Sequence, residues 1–188
     1  MSDAAPDADR QSRRRRDWNG VSAVIAALIG LLALCVSGYT AWLQRQQVRA
    51  QVWPYIESGL SQSGRYVLLS NKGVGPARIE TVQMFVDGKP LPDWNSIFDA
   101  LGLKFEPPPP YSTVHGIVIS AGGVVQQLAF RDEAQFRQFD PLYARLDVAV
   151  CYCSSLGECW HLDERETDSN RQRRTVESCP RSDEDFRQ

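Results

Sequence analysis

Histidine is nearly absent from this chain. His115 and His161 are the two in 188 residues, which leaves little material for a Ser-His-Asp or Cys-His nucleophilic site. No Cys-x-x-Cys occurs, so the usual spacing of a thiol redox catalyst is missing. No glycine-rich stretch opens a capped helix, and Gly73 and Gly75 read as turn formers, not as a phosphate cradle. Carboxylates such as Asp99 and Glu106 are scattered without forming an acid and base pair. The sequence therefore offers no catalytic residue to name and calls for no cofactor. Positive charge is also scarce in the larger part of the chain. From Gln51 onward 14 Lys and Arg stand against 19 Asp and Glu, a net charge of −5. Phosphate binding needs a concentrated positive surface, so nucleic acid is not an expected partner.

What the chain does have is one long apolar run. Residues 18–44 carry no charge between Asp17 and Arg45, and Val21 to Leu43 exceeds the roughly 20 residues that a helix needs to cross a bilayer. The lipid bilayer is thus the first expected partner. Arg10 and Arg13 to Arg16 precede the run while only Arg45 and Arg49 follow it closely, which places residues 1–17 in the cytoplasm as a basic amino terminus. Trp18 at one end, with Tyr39 and Trp42 at the other, suits the two headgroup regions. A cleaved secretory signal shares the basic start, but its apolar core is shorter, roughly 7–15 residues. Ala23, Ala26, Gly30, Ala33, Ser37 and Ala41 recur at spacings of three and four and so form one stripe, the pattern that lets two membrane helices approach closely. A homodimer through this helix is the expectation, against the alternative that an alanine-rich composition produced the stripe by chance.

Residues 45–51 read as a juxtamembrane linker and 52–163 as one domain of short strands. Val52 to Ser58, Arg65 to Ser70 and Ala77 to Val86 are rich in branched and aromatic residues, with turn chemistry at residues 71–77 and at Asp87-Gly88. Tyr111 to Ser120 and Val124 to Phe130 flank Ala121-Gly122-Gly123 as an expected hairpin. Leu142 to Val150 alternates with period two, the signature of a half-buried strand. Asp93 caps an expected helix from Trp94 to Leu101 with Gly102 past its end, and Asp132 caps a second from Glu133 to Phe139. The fold class is mainly β: a single transmembrane helix, then an antiparallel β-sandwich, immunoglobulin-like, of about seven strands with two short helices. Pro107 to Pro110 reads as a stiff run holding a loop away from the sheets. Residues 164–188 are polar and nearly free of large apolar side chains, which predicts a mobile tail.

Chemistry is concentrated in the cysteines. Cys151, Cys153, Cys159 and Cys179 lie beyond the apolar run, an even number suited to disulfides in an oxidising compartment. Cys151 and Cys153 share a strand face, and Ser154 to Glu158 has the length of a hairpin loop, which puts Cys153 opposite Cys159 and leaves Cys151 to hold the tail through Cys179. Three pairings are possible all the same. The alternative is metal, since Cys151, Cys153, Cys159 and His161 would present three sulfurs and an imidazole on one face, a set suited to zinc or Cu(I).

Trp53-Pro54-Tyr55, then Asn71-x-Gly73-x-Gly75-Pro76-Ala77-x-Ile79, and late in the chain Cys151-Tyr152-Cys153-Ser154 and Glu158-Cys159-Trp160, together resemble elements of a class of uncharacterised bacterial single-pass membrane proteins with a β-rich soluble domain. The resemblance implies an envelope location and carries no catalytic residues. On these grounds the chain is expected in the bacterial inner membrane with its domain in the periplasm, serving protein–protein interaction or sensing with an unknown envelope protein as partner. One alternative is a metal-binding or redox protein built on the cysteine hairpin. Another is a ligand-triggered membrane effector with a cytoplasmic domain, which free cysteines would suit and disulfides oppose.

Overall fold

A computed structural model describes residues 7–187, with side chains for 20–187. The basic residues Arg13 to Arg16 and Trp18 therefore have side chains outside the described residues, as does the whole of the expected amino-terminal stretch before Asp7. The first element, α1, spans Asp7–Gln51. Its Gly20–Gln51 portion contains an 18-residue stretch of mean hydropathy 2.5 and is long and apolar enough to cross a membrane. The helix runs on through residues 45–51, where a linker was expected, because Arg, Gln and Ala there are good helix formers. Within it the Ser37 and Thr40 hydroxyls donate to the Ala33 and Val36 carbonyls at 2.8 Å, so the polar groups of the apolar stretch are satisfied in their own helix.

From Arg49 the chain forms a separate compact unit. Two antiparallel sheets make it up. The first joins β1 (Ile56–Ser61), β2 (Tyr66–Asn71) and β6 (Val124–Ala129) in the order β1-β2-β6. The second runs β4-β3-β7-β8-β9, from β3 (Ala77–Val86), β4 (Lys89–Leu91), β7 (Leu146–Cys153), β8 (Cys159–Asp163) and β9 (Arg173–Val176), with β5 (Val118–Ile119) also on β3. One apolar cluster draws on both sheets, with Ile56, Leu69 and Leu128 from the first and Ile79, Met84, Val150 and Tyr152 from the second. Burying such side chains away from water is the main force holding the sheets together. Two helices complete the cluster. In α2 (Trp94–Leu101) the Asp93 carboxylate accepts from the Ser96 N–H and Gly102 ends the helix at φ 72°, while in α3 (Glu133–Phe139) Asp132 caps through the Gln135 N–H. The aspartates occupy donors that the first helical turn cannot pair internally.

Nine strands are present among the described residues, not about seven. The difference lies in short β4 after the Asp87-Gly88 turn, where both residues have positive φ, and in β9. A second departure concerns Tyr111 to Ser120. Only Val118–Ile119 is strand, and it pairs with β3 while β6 pairs with β2, so the expected hairpin is replaced by a change of sheet. Gly122 and Gly123 turn the chain there, and both bond to the backbone of Asn71 instead of bringing β5 against β6. The proline run before it is tied down, with the Pro107 carbonyl accepting from Gln135 Nε2 at 2.9 Å and that of Pro108 from Arg131 Nε at 3.1 Å.

The third departure is the largest. Residues 164–187, expected as a mobile tail, carry α4 (Ser169–Gln172) and β9, and Phe186 is 4% exposed against Trp94 at 5.5 Å between ring centroids. Arg173 fixes the inner side of β9: its Nε meets the Tyr152 hydroxyl at 3.0 Å, its Nη2 the Ile56 carbonyl at 2.5 Å, and its guanidinium lies 3.6 Å over the Tyr55 ring. Such a planar fork joins aromatic and carbonyl partners at once, which is why so polar a stretch can still fold.

Candidate functional site

The turn at Ser154 to Glu158 sets the geometry of the cysteines. Ser154 is buried; its N–H donates to the Glu158 carbonyl at 2.8 Å, and its hydroxyl accepts from the Leu156 and Glu158 N–H groups. Gly157 takes φ 81°, open to glycine without strain. The resulting register places Cys153 opposite Cys159 and Cys151 opposite His161, and β9 then sets Arg174 opposite His161. Because side chains alternate across a strand, Cys151, Cys153, Cys159, His161 and Arg174 share the face turned away from Tyr152, Val150 and Leu162 in the core.

The chain then crosses back over this face. Cys179 bonds Cys151 with S–S 2.08 Å, and Cys153 bonds Cys159 with S–S 2.04 Å. Both bonds are of ordinary disulfide length. The two bridges lie side by side, with Cys153 Sγ 3.8 Å from Cys179 Sγ. Further along, Gln83 Nε2 donates to the Ser182 hydroxyl at 2.9 Å and the Phe186 N–H to the Val82 carbonyl at 2.8 Å. This covering segment is why β7 is buried on both faces, where its sequence alternation predicted one.

Among the described residues, the group whose ligand atoms all lie within 4.8 Å of one another is Cys153, Cys159 and Cys179. Of the four ligands expected from the sequence, Cys153 and Cys159 are in this group, Cys151 and His161 are not, and Cys179 joins them. Sulfurs joined in disulfides carry no thiolate charge, and a thiolate is the form that holds zinc or Cu(I), so metal binding here requires both bonds to be cleaved. Cys35 in α1 is a free thiol, and His115 lies in a turn, not in a strand.

His161 faces an open cleft of about 470 Å³ whose lining includes Thr81, Cys151 and Arg174 on the sheet and Glu177, Ser178 and Pro180 to Ser182 across from them. Its Nδ1 is buried without a hydrogen-bond partner. Burial, and then the positive charge of Arg174, hold its pKa below the usual histidine range, so the ring is neutral at neutral pH. Sequence reasoning missed Arg174, because it treated residues 164–188 as solvated. The signal present was Arg173-Arg174-Thr175-Val176, a branched pair after two arginines that alternate between the two faces.

Comparison found no family model, no curated protein and no solved structure similar to this chain.

At the far end of β8, burial pushes the Glu164 carboxyl up, with Asp147 and Asp163 adding repulsion, although Oε2 accepts from the Val148 N–H at 3.2 Å. A carboxyl whose folded pKa lies above its unfolded one weakens the fold once ionised, a penalty fully present above the folded pKa and absent below the unfolded one. Glu164→Gln keeps an acceptor for Val148 and removes the charge. It is expected to raise the melting temperature at about pH 7, with the gain vanishing near about pH 4 as the wild-type carboxyl protonates. An equal gain at both values would show that charge is not the cause.

Proposed function

We propose that this chain is a single-pass protein of the bacterial inner membrane, with residues 1–17 in the cytoplasm and a periplasmic domain that serves protein interaction or sensing. The observation that carries this reading is the pair of disulfides, Cys151–Cys179 and Cys153–Cys159, in a domain that follows an apolar helix. Structural disulfides persist in oxidising compartments and are rare in the cytosol, and the arginines before the span favour the same orientation. We also read the two sheets as an immunoglobulin-like sandwich, a reading supported by their shared apolar cluster. Such a frame presents edges and loops rigidly, and the resemblance to bacterial single-pass proteins agrees with it. The cytoplasmic effector alternative is disfavoured by the same disulfides.

Proteolysis of spheroplasts, followed by intact mass of the chain after alkylation, tests the proposal. Digestion of the β domain from outside is expected, with Cys151, Cys153, Cys159 and Cys179 alkylated only after reduction. Protection of the domain together with alkylation before reduction would place it in the cytoplasm.

The four clustered sulfurs favour a second reading as a redox or metal-binding protein: once an external dithiol reduces Cys153–Cys159 and is itself oxidised, the freed Cys153 thiolate lies close enough, at 3.8 Å, to attack Cys179 and release Cys151 as the leaving thiolate. The stripe from Ala23 to Ala41 bears on assembly. A Cβ on Gly30 meets nothing within 4 Å, so Gly30→Ile leaves the single helix intact. That substitution is expected to abolish self-association in a membrane reporter assay, because close approach of two backbones needs the small residue. Unchanged association would remove the dimer.

A further inference from the structure

We propose that the end of the β domain at which the chain enters rests on the bilayer surface, with Trp53, Val74 and Leu156 seated among the lipid headgroups. The proposal rests on the reading of α1 as a membrane span, and goes beyond it by giving the domain a lipid contact of its own.

The register of the strands defines that end. Ile56 begins β1 and pairs with Asn71 at the end of β2, while Val124 begins β6 opposite Ser70. In the other sheet Arg78 of β3 pairs with Val118 of β5 and Cys153 of β7, Cys153 with Cys159 of β8, and Cys159 with Val176 of β9. Asn71 joins the two sets, since its Nδ2 donates to the Gly75 and Ile119 carbonyls. Residues 52–55, 71–76, 118–124 and 154–158 therefore lie at one end of the domain. Entry of the chain is fixed there too: Arg49 pairs with Glu158 at 3.2 Å, and the Val74 and Gly75 N–H groups donate to the Trp53 carbonyl at 3.0 and 3.2 Å.

Apolar exposure is concentrated on those segments. Beyond α1, the strongly exposed large apolar side chains among the described residues are Trp53, Val74, Tyr111, Val118, Val124 and Leu156, at 43–63% of their surface. All but Tyr111 belong to this end. The turns of the opposite end carry Gln62 to Arg65, Asp87 to Lys89 and Asp163 to Glu166, with no such side chain. A single exposed apolar residue needs no partner, whereas a gathering of them at one end marks a contact. The same end is tethered beside lipid. Leu43 closes the apolar run and α1 ends at Gln51, about 12 Å further on at the helical rise, across a headgroup layer about 5–8 Å deep. Form selects lipid over protein: separate apolar tips, one of them a Trp suited to headgroup depth, enter a fluid layer without the matched surface that a protein partner requires.

The test uses the full-length chain, one copy per lipid nanodisc, with a gadolinium chelate on the headgroup of part of the lipid, and reads amide line broadening by NMR. Gly64 and Gly88 at the far end are the references. Strong broadening at the Val74 and Leu156 amides is the expected result. A Val74→Ser, Leu156→Ser variant is expected to lower the docked population by about tenfold, with broadening at the Val124 amide falling accordingly and the melting temperature unchanged. Tethering alone brings this end near lipid, so broadening at Val124 that the double substitution leaves unchanged would overturn the proposal. Shifts at Val74 and Leu156 that arise only in discs holding two chains would give the face to a second copy and overturn it as well. A nitroxide on the acyl chains tests α1 separately. Broadening at Gly30 keeps the span whatever the domain does, whereas an unaffected Gly30 would refute span and lipid contact together.

Discussion

Asn71→Ala is expected to destabilise the β domain by about 3–5 kcal/mol, the largest effect of any single polar substitution outside the cysteines. Asn71 is 0% exposed, and its amide is fully used. Oδ1 accepts from the Tyr55 N–H at 3.1 Å and the Gly73 N–H at 3.0 Å, while Nδ2 donates to the Gly75 carbonyl at 2.8 Å and the Ile119 carbonyl at 3.0 Å. One side chain therefore joins the approach to β1, the glycine turn and β5. Truncation strands four backbone groups, each costing about 1 kcal/mol or more when left unpaired away from water. The neighbouring glycines obey a different constraint. A Cβ on Gly75 would lie 2.2 Å from the carbonyl carbon of Val52, and one on Gly73 would lie 2.4 Å from the Trp53 carbonyl oxygen. Backbone cannot yield as a side-chain tip does, so Gly75→Ala should cost as much as Asn71→Ala. Gly88→Ala has positive φ but open space, and is expected to cost only about 1 kcal/mol. Urea unfolding of the full chain in micelles, followed by tryptophan fluorescence, measures all three. Equal costs at Gly75 and Gly88 would mean that the close approach is not what the turn requires.

The motif Asn71-x-Gly73-x-Gly75 thus belongs to architecture, and its chemistry was partly legible in the sequence. Glycine and proline at that density announce a turn, and the absence of a capped helix after them removed the phosphate reading. What no local pattern could announce was that the turn packs its backbone against Val52 and Trp53. The helix caps Asp93 and Asp132 were legible for the opposite reason, since each acts on an N–H three residues away. The hairpin loop at Ser154 was legible in the same way. Residues 164–187 were not, because their order depends on distant partners. Phe186 is a lone aromatic that matters only once Trp94 is beside it, and Arg173 looks solvated until Tyr55 and Tyr152 enclose it. Composition reads solubility well and long-range pairing poorly. The candidate cleft fell in the same blind region, since two of its walls come from that stretch.

Removing the Cys151–Cys179 bridge by paired substitution to Ala is expected to cost about 3.6 kcal/mol, against about 2.2 kcal/mol for the Cys153–Cys159 bridge, from the chain entropy that each closure removes from the unfolded state. The order follows from loop length, with sequence separations of 28 and 6. Their consequences for structure should differ more than their energies. Cys153–Cys159 closes a hairpin already held by the β7 and β8 ladder and by the Ser154 turn, so its loss should leave the outer face in place. Cys151–Cys179 is the covalent tie between the sheet and the segment after β9, where other bonds include those of Gln83 Nε2 with Ser182 and Asp185 and of the Phe186 and Arg187 N–H groups with the Val82 and Pro92 carbonyls. Hydrogen exchange at the Phe186 N–H therefore separates the cases. Faster exchange in the Cys151→Ala, Cys179→Ala variant and unchanged exchange in the Cys153→Ala, Cys159→Ala variant is the expected pattern. Equal acceleration in both would show that the bridges act as one stacked unit, with the 3.8 Å contact between Cys153 and Cys179 coupling the hairpin to the cover of the cleft.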